Sequence, residues 1–165
     1  MVVVADTSPL NYLVLIGEIG ILPKLYTRIV IPEAVLNELR HSASPAPVTG
    51  FAECLPEWLE VVTVGAADQN SVFLANLDPG EIAAIALAEA HVDTLLLMDE
   101  TAGRAEAARR GIRSTGTLGI LRDAATAGLL DLPTAFQKLQ TTTFRLPQPL
   151  LIALLEQDAR RKQDL

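Results

Sequence analysis

The stretch MVVVADTS at residues 1–8 decides the fold. The run from Val2 to Ala5 is apolar without alternation, which is typical of a strand buried on both faces. Asp6 follows the run directly, and Pro9 favours the first turn of a helix. In open α/β sheets the ligand crevice lies outside the carboxyl ends of the strands. The stretch therefore predicts a buried strand that presents a carboxylate to such a crevice.

The alternation of strand and helix continues along the chain. Further strands are expected at residues 28–31, 59–64, 94–98 and 112–115, with helical segments between them. Strands that alternate with helices predict a parallel sheet covered on both faces, and hence an α/β fold. The chain of 165 residues shows no internal repeat and no second domain, so we expect a single domain over residues 1–165.

Helical segments are predicted from local signals. Thr7 or Ser8 is expected to cap the first helix, and Pro32 to open the helix that follows the second strand. Residues 41–56 contain several prolines and predict a loop with one helical turn. Residues 68–76 predict a weak helical segment. The sequence Asp-Pro-Gly-Glu at residues 78–81 predicts a capping box, with Asp78 as the N-cap.

Composition limits the classes of function. The net charge is −7 and the isoelectric point is near 4.8, which argues against a large basic face that binds nucleic acid through many phosphates. The single cysteine, Cys54, excludes an internal disulfide and a cysteine metal cage. The start of the chain has no signal-peptide pattern, and no apolar run approaches the length of a membrane span, so we expect a cytoplasmic protein.

Acidic residues are placed where a parallel sheet would gather them. Asp6 and Asp99 end predicted strands, and Glu100 follows Asp99. Glu81 begins a buried helix, and Glu38 lies beside the apolar stripe of another. Clustered carboxylates repel one another unless they bind a cation or a proton, and Mg²⁺ prefers oxygen ligands. The pattern is compatible with a divalent metal site that acts on a phosphate group.

Structural roles compete with this interpretation. Asp6 fits an Asx turn or a cap equally well, and Glu38 fits an ordinary solvated helix position. Glu81 fits a capping box and Asp99 the first turn of the next helix. A carboxylate has two oxygens, so a capping role and a ligand role can coexist. Arg104, one turn beyond Asp99, is the candidate for contact with a phosphate.

Other catalytic motifs are absent from the sequence. It contains no G-x-S-x-G nucleophile elbow, no phosphate-binding loop with Gly-Lys-Ser/Thr, and no G-x-G-x-x-G dinucleotide motif. The carboxylates are therefore the main candidates for chemistry.

Several motifs, in their order and spacing, carry a resemblance that spans almost the whole chain. They are Asp6-Thr7-Ser8-Pro9-Leu10, Ile31-Pro32 with Val35 and Glu38-Leu39, Asp78-Pro79-Gly80-Glu81, Met98-Asp99-Glu100 with Arg104, and Thr115-Gly116-Thr117. With these motifs the chain resembles the PIN-domain family of metal-dependent ribonucleases, whose largest group is the VapC-like toxins. It looks closest to a subgroup formerly defined as a domain of unknown function.

The resemblance implies a three-layer α/β/α sandwich with a central, mainly parallel sheet. It also implies a carboxylate pocket for one or two Mg²⁺ or Mn²⁺ ions. Carried over by position, the catalytic residues would be Asp6, Glu38, Glu81 and Asp99, and the metal ligands Asp6, Asp99, Glu81 and Glu100. Glu81 stands where many members have aspartate, and Glu100 where the subgroup tends to have a second aspartate.

Three hypotheses follow from the resemblance. The favoured one is a Mg²⁺-dependent endoribonuclease that acts as the toxin of a toxin-antitoxin pair, with a small antitoxin protein as partner, a homodimeric state and no membrane association. The second is a PIN-like binding or regulatory module with little catalysis, which the acidic net charge and the two departures at Glu81 and Glu100 motivate. The third is a nuclease that acts on DNA.

Overall fold

A central parallel sheet organises the first part of the molecule. The computed structural model describes residues 1–70 and 76–165, which form two compact units, residues 1–117 and 118–165. Within the described residues the first unit has one sheet in the order β3-β2-β1-β4-β5, with all neighbours parallel. Its strands are β1 (Val2–Ala5), β2 (Ile29–Pro32), β3 (Leu59–Val62), β4 (Thr94–Leu97) and β5 (Arg113–Thr115).

Helices make up most of the remaining described residues of the first unit. They are α1 (Thr7–Leu15), α2 (Leu22–Leu25), α3 (Glu33–Leu39), α4 (Ala46–Glu53), α5 (Ala66–Asn70), α6 (Pro79–Glu89) and α7 (Thr101–Arg109), with a 3₁₀ turn at Ile19–Ile21. Helix α6 consists mainly of Ala, Ile and Leu, and it is buried against α3, β1, β2 and β4. The predicted α/β sandwich with a central parallel sheet is thereby confirmed. Among the described helices, none has the length and apolar character needed to cross a membrane.

The second unit is helical. Helix α8 (Thr117–Thr126) begins at the last residue of the first unit, and α9 (Leu132–Gln140) and α10 (Gln148–Gln163) follow. Asp131 caps α9 by accepting a hydrogen bond from the backbone N–H of Thr134, and Lys162 of α10 lies 2.9 Å from the other oxygen of Asp131. Phe136 is buried on α9. The single-domain assignment stays a prediction.

Strand β1 places the acidic residues at one edge of the sheet. It lies between β2 and β4, with Val3 opposite Ile29 and Ala5 opposite Leu97. Asp6, the first residue beyond β1, donates its backbone N–H to the carbonyl of Leu97 at 2.9 Å. Asp99 follows the neighbouring strand by two residues, so both backbones lie at the carboxyl edge, as the sequence predicts.

Some local predictions were wrong. The N-cap of α1 is Asp6 rather than Thr7 or Ser8, and residues 46–53 form a helix of two turns rather than one turn in a loop. Prolines at positions 45 and 47 occupy the cap and first turn of α4, where no backbone N–H is required. Pro32 ends β2 and serves as the N-cap of α3. Helix α5 accounts for part of the predicted segment 68–76, of which residues 71–75 lie outside the described residues.

A buried glutamate joins the ends of two helices. Glu106 of α7 is 4% exposed and accepts hydrogen bonds from Arg109, at 2.6 and 2.8 Å, and from Arg110, at 2.6 Å. Arg110 also forms an ion pair at 2.7 Å with Glu89, the last residue of α6. The hydrogen bonds from Arg109 and then Arg110 lower the pKa of Glu106 to about 2. The charged form of Glu106 therefore stabilises the fold.

We expect Glu106→Gln to lower the urea midpoint at pH 7, because the amide cannot satisfy both arginines. A carboxyl whose folded-state pKa is lowered stabilises the fold above its ordinary pKa, and this contribution is lost as the pH falls through the folded value. The difference between wild type and variant should thus narrow from pH 4.5 towards pH 2. Measuring the urea midpoints of wild type and Glu106→Gln over this pH range tests the prediction, and a variant of an exposed glutamate, Glu53→Gln, is the control. A difference in urea midpoint that did not change with pH would show that the charge of Glu106 does not stabilise the fold.

Candidate metal centre

Asp6 is a buried carboxylate with an unsatisfied oxygen. It occupies the N-cap position of α1, yet its side chain makes no capping hydrogen bond. The residue is 3% exposed, and within the described residues its Oδ1 atom has no hydrogen-bond partner. Buried polar atoms without a partner are rare because each one costs free energy. The capping role considered for Asp6 is therefore not what its side chain does.

Two further carboxylates approach Asp6. Glu38 comes from α3 and Asp78 from the residue before α6, and one oxygen of each lies with an Asp6 oxygen in a group whose members are within 4.8 Å of one another. Asp6 is buried, Glu38 is half-buried and Asp78 is exposed. The group therefore extends from the sheet edge to the surface.

The Glu38 carboxylate is held from two sides. The hydroxyl of Thr7 donates to Oε2, and the backbone N–H of Gly80 donates to Oε1 at 2.9 Å. A Cβ atom on Gly80 would lie only 2.5–2.7 Å from the carboxyl atoms of Glu38, closer than real contacts allow. Glycine at position 80 is thus what lets the helix backbone touch the carboxylate.

The predicted capping box at the start of α6 is confirmed. Asp78 Oδ1 accepts the backbone N–H of Glu81 at 2.8 Å, and Glu81 Oε2 accepts the backbone N–H of Asp78 at 2.9 Å. Glu81 is 3% exposed. The structure therefore places Glu81 next to the carboxylate group, bound to the backbone of one of its members.

Asp99 is oriented by a different partner. Its Oδ1 accepts the backbone N–H of Thr117 and its Oδ2 the hydroxyl of Thr117, both at 2.7 Å. Arg104 lies beside it, exposed, and Glu100 is the exposed N-cap of α7. Asp99 and Glu100 lie outside the group of Asp6 among the described residues. Their role as metal ligands stays a prediction.

Burial raises the pKa values of the two inner carboxyl groups. The pKa of Asp6 is well above its ordinary value, because burial disfavours the charged form more than the backbone N–H of Thr7 favours it. The negative charges of Asp78, Glu81 and Glu38 add to the rise. The pKa of Glu38 is also raised by burial and by Asp78, against the hydrogen bond from Thr7.

The pKa values of Glu81 and Asp99 shift in the same direction. Burial raises the pKa of Glu81 to about 6, although the hydrogen bond from the Asp78 backbone opposes the change. Burial also raises the pKa of Asp99, against the hydrogen bonds from Thr117 and the positive charge of Arg104. A site in which every one of these carboxyl pKa values is raised holds protons readily or binds a cation in their place.

Asp78 is the member of the group that the sequence did not predict as a ligand. The sequence pattern at residues 78–81 identifies Asp78 clearly as an N-cap, and this role alone explains why an aspartate stands there. The capping bond uses one oxygen, however, and an aspartate with one oxygen in a cap can present the other elsewhere. This reasoning, applied to Glu81 from the sequence, fits Asp78 as well.

The residues fit a divalent cation that prefers oxygen. The donor set is made of carboxylates, and the unpartnered Oδ1 of Asp6 is a buried acceptor that a cation would satisfy. Mg²⁺ and Mn²⁺ suit such ligands better than metals that prefer sulfur or imidazole.

A comparison with protein families agrees with this geometry. A family model described as a PIN domain matches residues 2–159, and it is that of a subgroup first defined as a domain of unknown function. The chain belongs to the PIN-domain family. PIN domains are usually nucleases and generally use divalent metal ions. No curated protein matches this PIN domain at a significant level.

We expect Asp6→Asn to stabilise the cation-free PIN domain at high pH. A carboxyl whose folded-state pKa is raised contributes stability at low pH, and this contribution is lost as the pH rises through the folded value. The amide has no such loss, so the free energy of unfolding of the variant should increase relative to that of wild type as the pH rises from 4 to 8. Unfolding in EDTA over this range measures the difference. If the free energy of unfolding changed with pH equally in wild type and in Asp6→Asn, the expectation would be wrong.

We expect Gly80→Ala to weaken binding of Mn²⁺ by about tenfold or more, because the new methyl group displaces the Glu38 carboxylate. The matched control is Gly50→Ala, since Gly50 lies inside α4 with open space around its Cβ position. The control should keep the affinity of wild type and gain up to about 1 kcal/mol of stability. Calorimetric titration of all three proteins tests the expectation. Equal affinities would show that Gly80 does not position Glu38.

Proposed function

We propose that this PIN domain is a Mg²⁺-dependent endoribonuclease that hydrolyses phosphodiester bonds in RNA. The observation that carries the proposal is the buried, unpartnered oxygen of Asp6, together with Glu38 and a third carboxylate within 4.8 Å. The family supports a nuclease-type fold. The choice of RNA rests on the resemblance to the VapC-like ribonucleases.

The residues of the chain have distinct parts in the proposed reaction. Asp6 and Glu38 would hold the cation, with acidic residues at the start of α6 and after β4 as further ligands. When bound, the cation would neutralise charge on the phosphodiester and lower the pKa of a bound water. Thr7 and Gly80 orient Glu38, so that its carboxylate does not turn towards solvent.

The acidic site needs positive charge to accept RNA. The chain carries a net charge of −7, and the cluster itself would repel a phosphate in the absence of a cation. Arg104 is exposed beside Asp99, where its positive charge could meet a phosphate of the substrate. We therefore propose Arg104 as a substrate-binding residue, in line with its position in the sequence.

The biological setting is part of the same proposal. By resemblance to the VapC-like group, the protein would act in the cytoplasm as the toxin of a type II pair, as a homodimer inhibited by a small antitoxin protein. A second candidate function is a binding or regulatory module with little catalysis. The observation that favours this second function is that both oxygens of Asp99 accept hydrogen bonds from Thr117.

Cleavage of a mixed pool of structured and single-stranded RNA tests the proposal. The reactions would contain Mg²⁺, Mn²⁺ or EDTA, and would compare wild type with Asp6→Asn and with the exposed control Glu53→Gln. We expect metal-dependent cleavage by wild type and by the control, and a loss of about 100-fold or more in Asp6→Asn. A matched DNA pool distinguishes a deoxyribonuclease.

Two outcomes would contradict the ribonuclease. Equal cleavage by wild type and Asp6→Asn would show that a contaminant or another site is responsible. A folded wild-type protein that binds Mn²⁺ weakly or not at all, and that leaves every RNA intact, would favour the binding module.

A further inference from the structure

We propose that Asp78, and not Glu81, supplies the third carboxylate of the cation site, and that Glu81 is a positioning residue that holds Asp78 through the capping box. This inference rests on the proposed function, because it divides the work of the same site. It differs from the positional assignment that the sequence motifs suggest, in which Glu81 is itself a ligand.

Distance is the first support. An oxygen of Asp78 lies within 4.8 Å of the ligand oxygens of Asp6 and Glu38, and Glu81 is outside this group within the described residues. Aspartate at position 78 is exposed, whereas Glu81 is buried. An exposed carboxylate leaves room for the waters or the substrate phosphate that Mg²⁺ keeps among its ligands.

The second support is what each oxygen already does. The capping bond from the Glu81 backbone uses Oδ1 of Asp78, and the Asp78 side chain is also hydrogen-bonded to the Glu38 carboxyl group, a contact that a cation held between the two would replace. Oε2 of Glu81 is bound to the backbone N–H of Asp78 at 2.9 Å. Turning Oε2 towards a cation would release that backbone group and half of the capping box, so Glu81 as a ligand would have only Oε1 to offer.

The buried Asp6 carboxylate is an independent sign that the group binds a ligand. Its Oδ1 atom has no partner among the described residues, although the residue is only 3% exposed. Acidic clusters are common on protein surfaces, but an unsatisfied carboxylate oxygen in the interior is not. A cation shared with Asp78 and Glu38 would satisfy it.

The first turn of α6 holds two of the three carboxylates in place. Pro79 has no backbone N–H, while Gly80 donates to Glu38 and Glu81 donates to Asp78. Both free donors of this turn are therefore directed to carboxylates of the group, and the positive end of the helix dipole favours their charge. In this arrangement the backbone at position 81 and the side chain of Glu81 both serve to fix Asp78.

Calorimetric titration with Mn²⁺ alone, and with Mg²⁺ alone, separates the two roles. Asp78→Asn keeps an oxygen for the cap and removes a negative charge that repels Asp6 and Glu38, so the melting temperature in EDTA should not fall, while the affinity should fall about tenfold or more. Glu81→Ala breaks the capping box and should lower both the affinity and the melting temperature in EDTA. Glu81→Gln keeps an oxygen for the Asp78 backbone and should restore most of the affinity that Glu81→Ala loses.

The outcomes separate this inference from the function on which it rests. A loss of affinity in Glu81→Gln as large as in Asp78→Asn would overturn the inference, because charge at position 81 would then be needed for binding. Wild-type affinity in Asp78→Asn would also overturn it, and the cation site itself would stand. Absence of any cation binding by wild type would instead overturn the metal-dependent function. Glu53→Gln serves as the control for the loss of one negative charge.

Discussion

The pairing of β1 on both of its edges is the constraint on which the site depends. With β2 and β4 on its two edges, β1 ends in the middle of the sheet, where Asp6 is only 3% exposed and its backbone N–H is bound to Leu97. The chain places a carboxylate there, Asp6, and leaves one of its oxygens unsatisfied. The fold thus places an unsatisfied carboxylate oxygen at the carboxyl edge of the sheet. The surrounding elements add further carboxylates there and no compensating positive charge within the described group.

What keeps these like charges together is the protein backbone and a hydroxyl group. Glu38 is bound by Thr7 and by the backbone of Gly80, and Asp78 by the backbone of Glu81. These neutral donors lower the energy of the carboxylates without cancelling their charge. A site built in this way keeps its negative charge, which an arginine or lysine inside the group would neutralise. The arginine near the site, Arg104, lies instead beside Asp99.

The sequence was sufficient for features that depend on neighbouring residues. Strand β1, the capping box at Asp78 and the position of Asp6 at a strand end all follow from local patterns, and the family follows from several such patterns in order. Contacts between distant segments were not predictable in this way. Glu38 and Gly80 are 42 positions apart, and whether the carboxylate meets a backbone N–H depends on how α3 and α6 pack. The two hydrogen bonds from Thr117 to the Asp99 carboxylate are a similar case.

The tight contact between Glu38 and Gly80 has a consequence for the size of the ion. Helices α3 and α6 are packed together, and the carboxylate lies between a hydroxyl group on one side and bare backbone on the other. These contacts restrict the movement of the carboxylate away from the group. Ca²⁺ needs six to eight oxygens at longer distances in a flexible shell, whereas Mg²⁺ takes a small octahedral shell with several waters. In the proposed function, the rigidity of this one side chain would favour the smaller ion.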